Sequence, residues 1–414
     1  MRILWFTNTP SRYADFGGYN GGGWIYSLEE ELSKRKDVEL GIAFFMSKQP
    51  KKVLKNNVTY YPINNSFTGS VINKVKASLI SRRYMEKKWL KSFLEVVHDY
   101  NPQIIEVFGS EQSFGQIAQY ISIPVVLHIQ GILTPIYNAF LPPFISLHNY
   151  LFEDMLPWHI YKRYRNISGF KYNAIREINI IKSVHYFIGR TNWDKEIVKL
   201  YNSTAKYFYG GEILRDVFYN PIDRKTFKDK FVLVSTLSDP LYKGYDIVLK
   251  TAKLLKENNI CNFEWHIFGN INPRFIERKI KIKHEDVNVL FMGVATPEVL
   301  SQELSKATAY LHLTYIDNSP NSVCEAQILG VPVIATNVGG IPSLVENGKT
   351  GFLVPSNDPF QAAAIIAKLV RDVELRKFIG QKASEVAVSR HNKPEIVDSL
   401  IKTYIKIIND TQNS

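Results

Sequence analysis

Two carboxylates, Asp317 and Glu325, stand eight positions apart in DNSPNSVCE, with Pro320, two asparagines and two serines between them. Such a pair could exchange protons, hold a metal ion, or cap a helix with polar side chains. The apolar run AYLHLT precedes it, so Asp317 is expected in the loop at a strand's carboxyl end. Ser319 then reads as a helix N-cap and Pro320 as the first helical residue. The amides of Asn321, Ser322 and Val323 would lack helical acceptors, which suits a diphosphate. A second loop follows at once: PVIAT runs into NVGG, where Gly339 and Gly340 would let a ligand approach the backbone. Lys243-Gly244, in PLYKGYDIVLK, reads by itself as a solvated helix start. Gly22 and Gly23 precede the amphipathic stretch WIYSLEEEL, with Tyr26 where a dinucleotide fingerprint would have its last glycine.

Short β-rich runs alternate with longer helical ones, the pattern of parallel sheets with crossover helices. The first half offers RILWFTN, ELGIAFF, QIIEVF, PVVLHI and HYFIG; the second offers KFVLVST, FEWHIFG, VNVLFMG, AYLHLT, PVIAT and GFLV. Each set predicts its own doubly wound sheet. The pattern lapses between residues 216 and 229, dividing a domain over 1–216 from one over 217–394, with the helix at 395–414 expected to pack back on the first. Two facing sheets of this kind share a cleft at their carboxyl ends, where ligands bind.

The chain of 414 residues is long enough for two domains, and its two cysteines, Cys261 and Cys324, have no metal spacing. No run approaches the ~20 apolar residues of a membrane span, and the N-terminal apolar run is too short for a signal peptide. A cytoplasmic protein is expected, at work near the inner face of the membrane. Between residues 48 and 91 eleven Lys or Arg face one acid, Glu86, a net of +10 in a chain of +12. This stretch is read as a basic amphipathic surface for anionic lipid or a polyanion, or as a solvated helix face. Nucleic acid is the weaker partner because no reader motif accompanies the charge. The aromatic stretch from Ile132 to Tyr172 reads as acceptor-binding or membrane-contacting surface, or as an aromatic core under loops.

The residues from Asp317 to Gly351, with PLYKGYDIVLKTAKLL, resemble glycosyltransferase family 4, retaining nucleotide-sugar transferases of the GT-B fold. That family's pattern is two glutamates eight apart with a proline between, then Ala, G-x-P-V-I-A, Gly-Gly and T-G-x-L-V. Here stand Asp317, Pro320, Glu325, Ala326, Gly330, Pro332, Gly339, Gly340 and TGFLV. The resemblance is dense over about 110 residues of the second half and loose in the first. It implies that Glu325 takes the nucleotide ribose, Asp317 the donor sugar and Lys243 the diphosphate leaving group. It also places Gly22 and Gly23 near the sugar diphosphate. Three positions depart from the pattern. Asp317 is one methylene short, Thr236 stands where an arginine is usual, and Gln130 stands where a histidine is common. Gln130 could orient the donor without titrating. Arg190, at the end of HYFIG, is the candidate for the missing cation, and His128 is read as a core histidine.

The expectation is therefore a retaining glycosyltransferase with a nucleotide-sugar donor, a glycan or lipid-linked acceptor, no cofactor and no metal. Lys243 and the helix amides would do the electrostatic work of a metal. A nucleotide-sugar epimerase, a phosphorylase and a non-catalytic glycan- or membrane-binding subunit remain the alternatives.

Overall fold

The computed structural model describes residues 1–13, 23–46, 51–65, 82–220 and 230–413. Gly22, much of the basic run (48–50 and 66–81) and part of the interdomain stretch (221–229) lie outside them. Two α/β domains follow one another. In the first, eight strands lie in the order β3-β4-β2-β1-β5-β6-β7-β8. They are β1 (Arg2–Thr7), β2 (Glu39–Met46), β3 (Val53–Lys55), β4 (Val58–Asn64), β5 (Ile104–Phe108), β6 (Val125–His128), β7 (Tyr186–Gly189) and β8 (Lys206–Tyr209). All neighbours run parallel except β3 against β4. The second sheet is parallel throughout, in the order β11-β10-β9-β12-β13-β14. Its strands are β9 (Phe231–Thr236), β10 (Phe263–Phe268), β11 (Val289–Gly293), β12 (Ala309–His312), β13 (Val333–Thr336) and β14 (Phe352–Val354).

The central strands read as continuous apolar runs because helices cover both faces. Ile3 and Trp5 join one core layer of the first domain, while Leu4 and Phe6 join the other. The C-terminal helix, Lys393–Gln412, buries Ile396, Leu400, Tyr404 and Ile407 in the first domain's core, beside Ile3, Trp5 and Leu28. Trp5 Nε1 donates to the Tyr404 hydroxyl at 3.2 Å, and that hydroxyl donates in turn to Glu106. Glu106 also pairs with His128 Nδ1 at 2.8 Å. His128 is thus a core histidine, its ring stacked on Phe108 at 5.3 Å.

Three strands have no counterpart in the apolar runs of the sequence. β3 and β4 are separated by Asn56 and Asn57, both at positive φ, and β4 contains Pro62. β8 is an edge strand with little buried surface. The aromatic stretch divides. Ile145 is buried in the second domain's core with Leu141 and Tyr150 packed nearby, and Glu153 pairs with Arg278 at 2.8 Å. This segment straps the domains together, whereas Trp158 and Tyr164 beyond it are exposed. Among the described basic residues, Arg82, Arg83, Lys87, Lys88 and Lys91 are exposed on the helix Arg82–Tyr100, which buries Met85, Phe93 and Val97. Glu86 is buried and bound to Arg176 at 2.7 Å. Among the described residues no helix is long and apolar enough to cross a membrane.

Candidate active site

The carboxyl ends of β9, β10, β11 and β12 converge on a cavity of about 680 Å³ between the domains. Its lining includes Thr236, Lys243, His312, Asp317, Asn321, Ser322 and Glu325 with Arg215 beside it, and Gly23 and Trp24 from the first domain.

Lys243 ends a short turn, Leu241–Lys243, that precedes the helix Tyr245–Glu257. Gly244 makes this possible. Its φ is +78°, and a Cβ there would sit 1.7 Å from the carbonyl oxygen of Leu313. The loop can therefore lie against the end of β12, where the Tyr242 carbonyl accepts from the Tyr315 amide and the Thr314 hydroxyl, both at 2.8 Å. That contact aims Lys243 Nζ at Asp317 Oδ2, 2.7 Å away. His312 Nε2 lies 2.9 Å from the same oxygen, and the Asn318 amide donates to Oδ1 at 3.0 Å. Burial alone would raise the Asp317 carboxyl, but the Lys243 ammonium and His312 outweigh it and hold the acid well below its ordinary range. Burial would likewise lower Lys243, and Asp317 more than compensates, so the lysine stays charged.

The helix after Asp317 spans Asn321–Ile328. Pro320, not Ser319, holds the N-cap position, in extended backbone, and the Ser319 hydroxyl is buried without a partner among the described residues. The reason is steric: proline's fixed φ suits the residue before the first turn, and the chain enters the helix one position later than the serine suggested. Asn321 and Ser322 line the cavity at the helix start, where amides have no helical acceptor. The Val323 amide instead donates to the Pro320 carbonyl at 3.0 Å, and its side chain is fully buried. Thr236 also lines the cavity, its hydroxyl 2.7 Å from that of Tyr310.

Glu325 reaches the cavity from the next turn. Arg215 Nε and Nη2 lie 2.9 and 2.7 Å from its Oε1. Burial pushes the acid up to about 7, and the Arg215 guanidinium opposes that rise.

Several expected ligand groups have other work. The Gly340 amide donates to the Asp317 carbonyl at 3.0 Å. A Cβ on Gly340 would lie 2.4 Å from the Asn318 carbonyl oxygen and 2.6 Å from Thr191 Cγ2. The glycine pair therefore admits protein, not open cleft. Gly244 serves the turn, as shown above. Arg190 is buried and paired with Glu212, with Nη1 3.5 Å from Asn321 Oδ1. It is absent from the cavity lining, where the second cation besides Lys243 is Arg215. Gln130 is also off that lining. Its carbonyl accepts from Asn318 Nδ2 at 3.2 Å, and its own Nε2 is buried without a partner among the described residues. Asn318 further binds Thr191 Oγ1 at 2.7 Å and Asp194 Oδ2 at 3.0 Å, tying the two domains together. Gly23 does line the cavity, as the first residue of the helix Gly23–Ser33.

Arg215, His312, Trp24 and Asn318 were not singled out in the sequence. His312 carried a faint signal, a polar residue ending an apolar strand five positions before Asp317. Arg215 carried none, being a lone arginine in a linker.

Residues 220–386, which carry this wall of the cavity, match the family described as Glycosyl transferases group 1. Over that stretch the chain is similar to the group 1 glycosyl transferases. It is 29% identical over 170 residues to N-acetyl-alpha-D-glucosaminyl L-malate synthase of Bacillus anthracis, covering 41% of this chain and 43% of that one. It is 28% identical over 200 residues to the capsular polysaccharide biosynthesis glycosyltransferase CapM of Staphylococcus aureus, covering 47% and 48%. The matched region thus spans less than half the length of these relatives. The whole chain superposes on sucrose-phosphate synthase of Thermosynechococcus elongatus with a TM-score of 0.76, 15% identity and 99% of both chains covered. That likeness is one of fold, and the fold is GT-B.

Proposed function

We propose that this protein is a retaining, metal-independent glycosyltransferase. It moves a sugar from a nucleoside-diphosphate sugar to a glycan or lipid-linked acceptor in the building of bacterial cell-surface polysaccharide. The observation that carries this reading is the single cavity wall on which Lys243, Asp317, the helix start at Asn321 and Ser322, and Glu325 converge. The diphosphate fits against the helix amides and Lys243, the ribose against Glu325 and the donor sugar against Asp317. In the transfer step the bond from the sugar's anomeric carbon to the diphosphate oxygen breaks. A bond to the acceptor oxygen forms on the same face, and the acceptor's proton passes to the departing phosphate. Lys243 and the helix amides stabilise the charge growing on that phosphate, which removes the need for a cation from solution.

The test is incubation with UDP-, GDP- and ADP-sugars after chelation of metals, with analysis of the products. Release of free nucleoside diphosphate with the sugar on an acceptor supports the reading. An isomerised nucleotide sugar would make the protein an epimerase, and a protein binding none of the nucleotides would be a non-catalytic subunit. The basic surface ending at Lys91 is assigned to the anionic inner face of the membrane. Liposome co-sedimentation that does not depend on anionic lipid would refute that part.

A further inference from the structure

Arg215 belongs to the segment that leaves the first domain, and its neighbours Leu214 and Phe218 anchor the backbone in the second domain's core. Leu214 and Phe218 are each 1% exposed. The Tyr219 hydroxyl accepts from the Leu214 amide at 3.1 Å and donates to the His391 carbonyl at 2.8 Å. The guanidinium lies over the Phe218 ring, 4.9 Å from its centroid. From this perch both of its contacts to Glu325 fall on Oε1. Oε2 has no partner among the described residues, and Glu325 and Arg215 line the same cavity.

We infer that Arg215 is a positioning residue of the nucleotide site: it clamps one oxygen of Glu325 so that the other, still charged, meets the ribose hydroxyls. The inference rests on the donor-site reading above and adds to it a residue that neither the family match nor the sequence pattern assigns. A guanidinium whose Nε donates to that oxygen and whose Nη2 lies 2.7 Å from it holds the carboxylate better than a lysine's single flexible ammonium does. The charge matters as much as the geometry. An ionised carboxylate only accepts hydrogen bonds, whereas a protonated one spends an oxygen as a donor. Burial works against ionisation here and Arg215 works for it.

The other titratable groups facing the pair leave this window to Glu325. Tyr310, on β12, is pushed by burial to about 12, and the Cys324 thiol is raised by the same cause. Glu298, on the helix Pro297–Lys306 and facing Arg215, is held low by hydrogen bonds from its own amide and Thr296. His312 faces Asp317 instead. Affinity for a ribonucleotide should therefore rise with pH through about 7 as Glu325 loses its proton. Removing Arg215 moves that rise to higher pH.

Calorimetric titration with UDP, GDP, ADP and their 2′-deoxy forms between pH 6 and 9 tests this. The wild type is expected to favour the ribo form of its preferred nucleotide. Arg215→Gln should lose roughly tenfold in ribonucleotide affinity at pH 7, regain most of it by pH 9, and cease to separate ribo from deoxy at pH 7. Arg215→Lys should keep the wild-type midpoint but lose severalfold in ribo-over-deoxy preference. A glutamine variant with wild-type affinity and pH profile overturns the inference, as does an equal loss for ribo and deoxy forms at every pH. Should the glutamine variant fail to fold, the lysine variant decides: undiminished ribo preference overturns the clamp. A wild type that binds none of the nucleotides overturns the donor reading itself, a different result from binding that ignores Arg215.

Discussion

The two walls of the cleft are built alike, from strand ends followed by helix starts, yet they spend their polar groups differently. On the second-domain wall Lys243, Asp317, Asn321, Ser322 and Glu325 all face the cavity. On the first-domain wall the corresponding groups bind protein. Arg190 holds Glu212, Thr191 and Asp194 hold Asn318, and Gln130 lends Asn318 its carbonyl. A strand end that opens toward a cleft is a place where chemistry can occur, but domain closure competes for the same residues. The second domain keeps its charges in loops ordered by their own sheet; the first surrenders its polar groups to the joint.

This contrast can be broken at three places. The largest effect is expected at Lys243. Lys243→Ala removes the cation from the exposed wall and should lower turnover by about a hundredfold or more, with Asp317 still held by His312 and the Asn318 amide. A variant that turns over like the wild type would place the diphosphate elsewhere. On the joint wall the loss should appear as stability instead. Arg190→Gln leaves Glu212 buried without its charge partner, a change that typically costs about 3–5 kcal/mol, readable as a lowered denaturation midpoint. An unchanged midpoint would mean that Arg190 is not structural and would return it to the list of donor ligands. The smallest effect is expected at Asn318→Ala, which removes three interdomain hydrogen bonds and should cost on the order of 1–3 kcal/mol. Small-angle scattering would show whether the cleft opens when that tie is cut; a more compact particle would contradict the role given to it.

Much of the fold was legible in the sequence for a simple reason. A parallel strand covered on both faces must be apolar along nearly all its length, so β1, β5, β9 and β13 announce themselves. Edge strands are under no such constraint. β8, an edge strand, is only half-buried, and β4, flanked outside only by the three-residue β3, keeps Pro62 in its run, so neither shows. The basic stretch and the aromatic stretch were legible as compositions but not as places. Ile145 reads as an ordinary loop isoleucine until the chain carries it into the other domain's core.

By itself the sequence determined the two-sheet architecture, the spacing that brings Asp317 and Glu325 to one helix start, and the glycine that lets Lys243 turn beside them. These are local matters, governed by hydrophobic period, proline and glycine geometry, and distances of a few residues. Only the tertiary structure decided which cation faces the cavity. Arg190 and Arg215 are both arginines near a domain boundary, and nothing within a few residues of either tells them apart. One is buried against Glu212 and the other lies on Glu325, 110 positions away along the chain. The same holds for Gly340 and Gln130, whose neighbours are Asn318 and Thr191. A side chain's type is fixed where it stands in the sequence, but its partner is fixed by the packing of two domains, and the partner sets its role.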